Sequence, residues 1–363
     1  MADDFDRDVY CMAGLPFDAV TLTRTLGILC DAARARQRCF LSTANLNYLV
    51  TAQCDAAFRD SILSSDLVVV DGMPLIWMAR WLQLPLTQRV AGSTLIEVLR
   101  DQPRDPPCSI YLFGGPEGVA ERAAAQINRH AQGLRCVGFD SPGFGNVESM
   151  STAGQIEAIN ASEADFLVVA LGAGKGQGWI MHNLHRLSVP VVSHLGAVVN
   201  FEANTIRRAP RWMQRSGLEW VWRIREEPAL WKRYWRDGLQ FLRLLLRDLL
   251  PLGLVMRLRD KAPARGELQL VNEDDGVCRL AVIGVIDDPV GETTRSTLRA
   301  CALRGRDVTL DLAAAQHVGA GLLGLLLVLE KHVRRNARQW RVTGATRKMR
   351  RYLRCSGLQR WVE

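Results

Sequence analysis

The stretch SSDLVVVDGMPLIWMAR, residues 64–80, decides how the first half of the chain folds. Leu67–Val70 are four consecutive apolar residues, the short unbroken run expected of a strand buried on both faces. Asp71-Gly72 closes the run, and Met73-Pro74 opens an apolar, helix-like segment. A carboxylate at the tip of a hydrophobic strand has two readings. Asp-Gly is a common turn pair, because Gly accepts positive φ and Asp bonds its own backbone. The carboxyl ends of parallel strands are also where α/β proteins place their chemistry.

Outward from this stretch the same pattern recurs. Cys39–Thr43 runs into ANLNYLVTAQ, Ser109–Phe113 into GGPEGVAERAAAQINRH, and Phe166–Leu171 into GAGKGQGWIMHNLHRL; Val189–His194 follows. Strand followed by helix, repeated, predicts an α/β fold, a Rossmann-like parallel sheet covered on both faces. Every strand-to-helix corner then falls on one edge, so Thr43, Asn45, Asp71, Gly114 and Gly172 are expected around one crevice.

Length and composition set the frame. With 363 residues, 48% hydrophobic and 23% charged, the chain suits two or three folded domains rather than disorder. The start, MADDFDRD, lacks the basic and apolar regions of a secretory signal. Nine scattered cysteines without a CxxC pair then point to reduced thiols in the cytosol. His182 and His185 are helix neighbours, but no acid or Cys beside them completes a metal site.

The net charge of +8 is concentrated. Residues 207–261 hold fourteen Lys/Arg against six Asp/Glu, and also Trp212, Trp220, Trp222, Trp231 and Trp235. Between Trp231 and Leu249 the apolar residues recur at helical spacing, with Lys232, Arg233, Arg236, Arg243 and Arg247 largely between them. Such a helix either covers a protein core or lies on an anionic membrane. The longest apolar run, LLPLGLVM, is far below the roughly 18 residues needed to span a bilayer. DKAPARGE, residues 260–267, reads as a linker. A second set of strands and helices follows: Leu268–Val271, Cys278–Val285, Thr293–Leu303, Val308–Leu312, Gly321–Val333, Trp340–Thr343, and a helix from Thr346. The expected boundaries are 1–206 for the sheet domain, 207–261 for the basic helical appendage and 262–363 for a small α/β domain.

Two glycine-bearing corners suit close approach to a ligand. Gly114-Gly115 could cradle a phosphate on backbone N–H groups, or be a plain turn. Gly172, Gly174, Gly176 and Gly178 alternate around Lys175, but the spacing is neither GxGxxG nor a Walker loop.

The stretches TANLNYL, SDLVVVDGMP, RVAGSTL, YLFGGPEGVAE, ADFLVVALG and RRAPRWMQRSGLEWVWRIREEP together resemble the WecG/TagA/CpsF glycosyltransferases, from about residue 40 to 236. The last is the most specific, since fold physics does not explain RAP-x-W followed by GLEW and EP. The resemblance implies an inverting transfer from a UDP-sugar to a polyprenyl-diphosphate-linked saccharide, in bacterial exopolysaccharide or cell-envelope glycan synthesis. It implies no metal or cofactor, and work at the inner face of the cytoplasmic membrane. By motif, Asp71 is the expected catalytic base. Thr43, Asn45 and Arg89 are expected to hold substrate, with Gly114, Gly115, Gly172, Lys175 and Gln177 completing the substrate-binding set. Arg207, Arg208, Arg211, Arg215 and Arg223 are expected to meet the acceptor diphosphate. The chemistry asks for these types: an attacking hydroxyl needs a base within hydrogen-bond reach, and a departing UDP needs cations or N–H donors.

The chain also departs from the family. It has Gly174-Lys175-Gly176-Gln177 where the family has a Pro-Lys-Gln-Glu-like run, and Asn200-Phe201 where Asp-Phe is usual. These differences bear on the donor sugar, and they motivate a competing reading as a non-catalytic scaffold. VTLDLAAAQHVGAGLLGLLLVLEKHVRR resembles a STAS domain, in which an Asp-Ser pair usually precedes the long helix. Val318 and Gly319 stand there, so the phosphorylation switch is expected to be absent and a partner-docking role kept. Charge alone would allow a nucleic-acid partner, but the basic segment coincides with the family's membrane-facing region, so none is expected.

Overall fold

A computed structural model describes residues 4–129, 131–258, 266–272 and 276–362. Two compact units emerge: Val20–Ile76 with Gln88–Gly238, and Met1–Ala19 with Trp77–Thr87 and Leu239–Glu363.

The first unit is built on a six-stranded sheet whose order is Leu67–Val70, Cys39–Ala44, Val191–His194, Phe166–Ala170, Cys108–Gly114, Leu134–Asp140. Every neighbouring pair is parallel. Side-chain alternation along buried strands divides the core into two layers. Leu41, Val69, Leu112 and Val168 pack on one face with the helices Leu22–Arg34, Gly92–Asp101 and Val119–Arg129. Phe40, Phe113, Leu167, Val169 and Val192 pack on the other with Trp179 and Ile180. Trp179 is wholly buried, stacks on Phe113 with ring centroids 4.4 Å apart, and donates its indole N–H to Met150 O at 2.6 Å. Both faces are therefore sealed, and the carboxyl edge carries the strand-to-helix corners, as expected from the repeated pattern.

The second unit holds the STAS-like region. Its sheet runs Ala315–Val318, Val277–Ile286, Asp307–Asp311, Trp340–Thr343, and Gly266–Asn272 pairs antiparallel with Val277–Ile286. The helix Ala320–Arg335 is buried along nearly its whole length. It packs against a hairpin from the other end of the chain, Val9–Met12 and Leu15–Asp18. The contact is backbone-close: a Cβ on Gly324 would stand 2.4 Å from Val9 O. Of the linker reading over 260–267, residues 260–265 lie outside the described residues, while Gly266 and Glu267 already belong to a strand.

Candidate functional site

Asp71 ends its strand in a fixed frame. Its N–H donates to Ala44 O at 2.8 Å, and Val90 N–H donates to Val70 O at 2.8 Å. The side chain keeps 28% of its exposure, and Arg89 Nε lies 3.8 Å from its Oδ1. Arg89 itself is 14% exposed. Its Nη1 donates to Glu219 Oε2 at 2.9 Å and to Gln214 O at 3.2 Å. Burial is the largest influence on Asp71 and pushes its carboxyl up. Arg89 pulls it down, Glu219 pushes it up, and Arg208 and a hydrogen bond from the Gly92 N–H pull it down. The balance lies at about 6. A carboxylate there is ionised at neutral pH, yet more basic than an ordinary Asp, which suits proton abstraction.

Thr43 is buried at the neighbouring strand tip. A Cβ on Gly92 would stand 2.4 Å from Leu195 Cδ2 and 3.5 Å from Thr43 Oγ1, so only glycine brings the Gly92–Asp101 helix this close. Asn45 caps the helix Leu46–Cys54, its Oδ1 accepting from Tyr48 N at 3.2 Å. Gly114 and Gly115 both adopt positive φ. Gly115 N–H donates to Ala170 O at 3.0 Å, and a Cβ on Gly114 would stand 2.8 Å from that same oxygen. This corner needs glycine for its backbone path.

The glycine-rich corner after Ala170 divides between surface and core. Gly172 precedes the helix Ala173–Asn183 with open space around it, and Lys175 Nζ donates to Gly145 O at 2.9 Å. Gln177 is fully buried. Its amide nitrogen donates to Ser42 Oγ at 3.0 Å and to Tyr48 Oη at 3.2 Å. Tyr48 Oη lies 2.7 Å from His194 Nδ1, and His194 Nε2 lies 2.5 Å from Leu171 O. The carbonyl can only accept, so Nε2 carries the proton and Nδ1 accepts from the tyrosine. Burial lowers the His194 pKa, in keeping with a neutral ring. A Cβ on Gly176 would stand 2.1 Å from His194 Cδ2, which gives that glycine a packing purpose.

The RRAP segment is pinned by its own surroundings. Arg208 pairs with Glu97 and donates from Nη2 to Thr94 Oγ1 at 2.6 Å. Arg207 has an exposed side chain, while its N–H donates to Glu226 Oε2 at 3.2 Å and its carbonyl accepts from Trp222 Nε1 at 2.9 Å. Both arginines line a cavity of about 520 Å³ with Ser93, Glu97, Arg100 and Phe201. Arg223 lies over the Phe201 ring, 5.5 Å from its centroid, and pairs with Glu227 at 2.5 Å. Arg211 is exposed, and the side chain of Arg215 lies outside the described residues. Asp71, Arg89 and Arg208 are thus brought together electrostatically, and Lys175 and Gln177 are engaged elsewhere.

The model of the WecG/TagA/CpsF glycosyl transferase family matches residues 10–253. The chain belongs to this family. A STAS domain matches residues 270–363. Among curated proteins, the chain is similar to three enzymes named N-acetylglucosaminyldiphosphoundecaprenol N-acetyl-beta-D-mannosaminyltransferase. That of Bacillus subtilis is 28% identical over 53% of this chain and 73% of its own length. That of Bacillus spizizenii is 25% identical over 53% and 74%, and that of Staphylococcus aureus 23% over 61% and 85%.

Within this WecG-type domain Glu219, Tyr48 and His194 have no role that the sequence alone assigns. Glu219 had a signal, being the acid of the unexplained GLEW in a basic segment. Tyr48 lies inside TANLNYL, but its partner is 146 residues away, and no local pattern joins them.

Proposed function

We propose that this chain transfers a sugar from a UDP-sugar to a polyprenyl-diphosphate-linked saccharide, in bacterial exopolysaccharide or cell-envelope glycan synthesis. The observation that carries the reading is Asp71, held at a sheet tip, partly exposed, with its carboxyl raised to about 6 and Arg89 beside it. In this reading Asp71 takes the proton of the acceptor hydroxyl as its oxygen attacks the anomeric carbon. The bond from that carbon to the UDP oxygen breaks, UDP leaves, and the anomeric centre inverts. Arg89, Thr43 and Asn45 hold the donor, and Arg207, Arg208 and Arg223 face the acceptor diphosphate. Positive charge for the leaving group comes from arginines and backbone N–H groups, without a metal or cofactor.

The acceptor class is supported by the three relatives, whose names specify a diphosphoundecaprenol-linked substrate. Work at an anionic membrane surface is supported by the Trp231–Leu244 helix and its continuation. Trp231, Trp235, Leu239, Leu242 and Leu246 are exposed at helical spacing, with Lys232, Arg233, Arg236, Arg243 and Arg247 exposed around them. No helix among the described residues is long and apolar enough to cross a membrane. The STAS domain fits a protein-docking role. The altered Gly174–Gln177 stretch gives the scaffold reading little, because Gly176 and Gln177 serve packing and a buried hydrogen-bond network.

The test is a panel of UDP-sugars against a polyprenyl-diphosphate-saccharide acceptor, read by mass spectrometry, with Asp71→Asn alongside. One sugar should be transferred by the wild-type protein, and the variant should lose ~10²–10⁴ in rate while still binding UDP. Full activity in the variant removes Asp71 from the mechanism.

A further inference from the structure

We infer that Glu219 is a positioning residue for transfer: it holds the Arg89 guanidinium at the edge of Asp71 and ties the GLEW helix to the catalytic centre. The inference rests on the proposed role of Asp71 as base.

The geometry is asymmetric. Arg89 places Nη1 on Glu219 at 2.9 Å and on Gln214 O at 3.2 Å, but reaches Asp71 only at 3.8 Å through Nε. A guanidinium free to choose would bind a carboxylate through two parallel N–H bonds. Glu219 and Gln214 O together occupy one arm, and both belong to the segment that follows the sheet. Glu219 opens the helix Glu219–Glu226, where an acid also meets the positive end of the helix dipole. With Nη1 anchored on those two partners, the Nε edge of Arg89 stands 3.8 Å from Asp71, near it but not clamped upon it.

That matters for a base. A full two-bond pairing with Arg89 would stabilise the carboxylate and make it a weak proton acceptor. The charged and polar groups facing Asp71 are Arg89 and Arg208, the Gly92 N–H, Glu219 and, from the Leu46–Cys54 helix, Tyr48. Of these, Glu219 supplies the negative charge, and it acts in the direction that keeps Asp71 basic.

The experiment is the pH profile of kcat for wild type, Glu219→Gln, Glu219→Asp and Asp71→Asn in the full chain, with melting temperature measured in parallel. Glutamine keeps an oxygen for Arg89 but removes the charge. The wild-type rate should rise with pH along a limb near 6. In Glu219→Gln the limb should move down by roughly half to one unit and the plateau should fall several-fold, with melting little changed. Aspartate should restore the limb more than the plateau, since it keeps charge but shortens reach. A lowered plateau with an unmoved limb, or a loss that tracks melting alone, overturns the positioning role. If Asp71→Asn retains the wild-type limb, the base assignment itself fails, whatever Glu219 does.

Discussion

Asp71 is charged in a place that resists charge, and stability should record this as well as rate. Its carboxyl is raised from 3.8 to about 6, so the folded chain holds that proton more tightly than the unfolded chain. The contribution is fully present below pH 4 and is lost as pH rises through 6. Above that, ionised Asp71 costs stability, offset in part by Arg89. Asp71→Asn should therefore melt a few degrees higher than wild type at pH 7.5, with little difference at pH 4, measured by calorimetry in matched buffers. An equal or lower melting temperature at pH 7.5 would show that Arg89 more than repays the burial. This residue was legible in the sequence because a short apolar strand must end where the chain turns, and a carboxylate there is visible at once. The raised pKa was not legible, since it depends on Arg89, Arg208 and Glu219 arriving from distant positions. Nor was the role of Gln177. It sits in a glycine-rich corner that reads as a ligand loop, but helix packing turns it inward toward Ser42 and Tyr48.

Among elements, those with strong local periodicity were readable and those at edges were not. Leu67–Val70 and Trp340–Thr343 fall where the pattern puts them, and the other recognised strands shift by a residue or two at their ends. Leu134–Asp140 carries no clear strand pattern, because it is an edge strand with Arg135 exposed and Gly138 interrupting its apolar run. The Val9–Met12 and Leu15–Asp18 hairpin turns on Ala13-Gly14, both at positive φ, without the Asn-Gly or Asp-Gly signal that marks such a turn. Periodicity found the amphipathic helix but left its apolar face open between core and membrane. In the structure the face divides: Leu249 is buried, whereas Trp231 and Trp235 are 52% and 66% exposed. Each Lys or Arg near an anionic surface contributes about 1 kcal/mol, screened over roughly 8 Å at physiological salt. Sedimentation with vesicles should then show binding that rises with anionic lipid and falls with salt. Combined reversal of Arg236, Arg243 and Arg247 to Glu should release the protein at unchanged melting temperature, because all three are exposed. Indifference to anionic vesicles at low salt would leave the exposed stripe with another purpose.

At the scale of the whole molecule, the two chain ends fold together. The WecG-type match begins at residue 10, yet the hairpin there shares a unit with the STAS domain. Asp4 pairs with Lys331 at 2.9 Å and with His332 at 2.9 Å; burial pushes its carboxyl up, but His332, Lys331 and Arg7 together hold it well below the usual range. Arg295 Nη1 donates to Phe5 O at 2.6 Å and to Arg7 O at 2.9 Å, and its Nη2 bonds Asp8 at 2.9 Å. Val9, Met12, Leu15 and Phe17 are all buried. The sequence showed the two domains by motif but not this joint core, because nothing local links residue 9 to residue 324. The position matched to the usual STAS serine also gains a physical account. Gly319 precedes the long helix, and a Cβ there would stand 2.9 Å from Asp288 Oδ1, which already accepts from Gly321 N at 2.8 Å. A fixed carboxylate occupies the helix start, and no hydroxyl is present to modify. Deleting residues 264–363 would remove the helix that covers the hairpin. Uncovering a fully buried side chain of these types costs ~1.5–3 kcal/mol, so losing part of four approaches the ~5–15 kcal/mol that holds a domain folded. All the assigned site residues lie in the other unit, so the chemistry itself should not need the tail. The truncated chain should accordingly show a lower melting temperature and faster proteolysis near its N-terminus, while the fraction that stays folded keeps its turnover per site. If the truncated chain melts like the full protein, the hairpin draws its stability from elsewhere. If it stays folded but loses turnover, the tail takes part in catalysis.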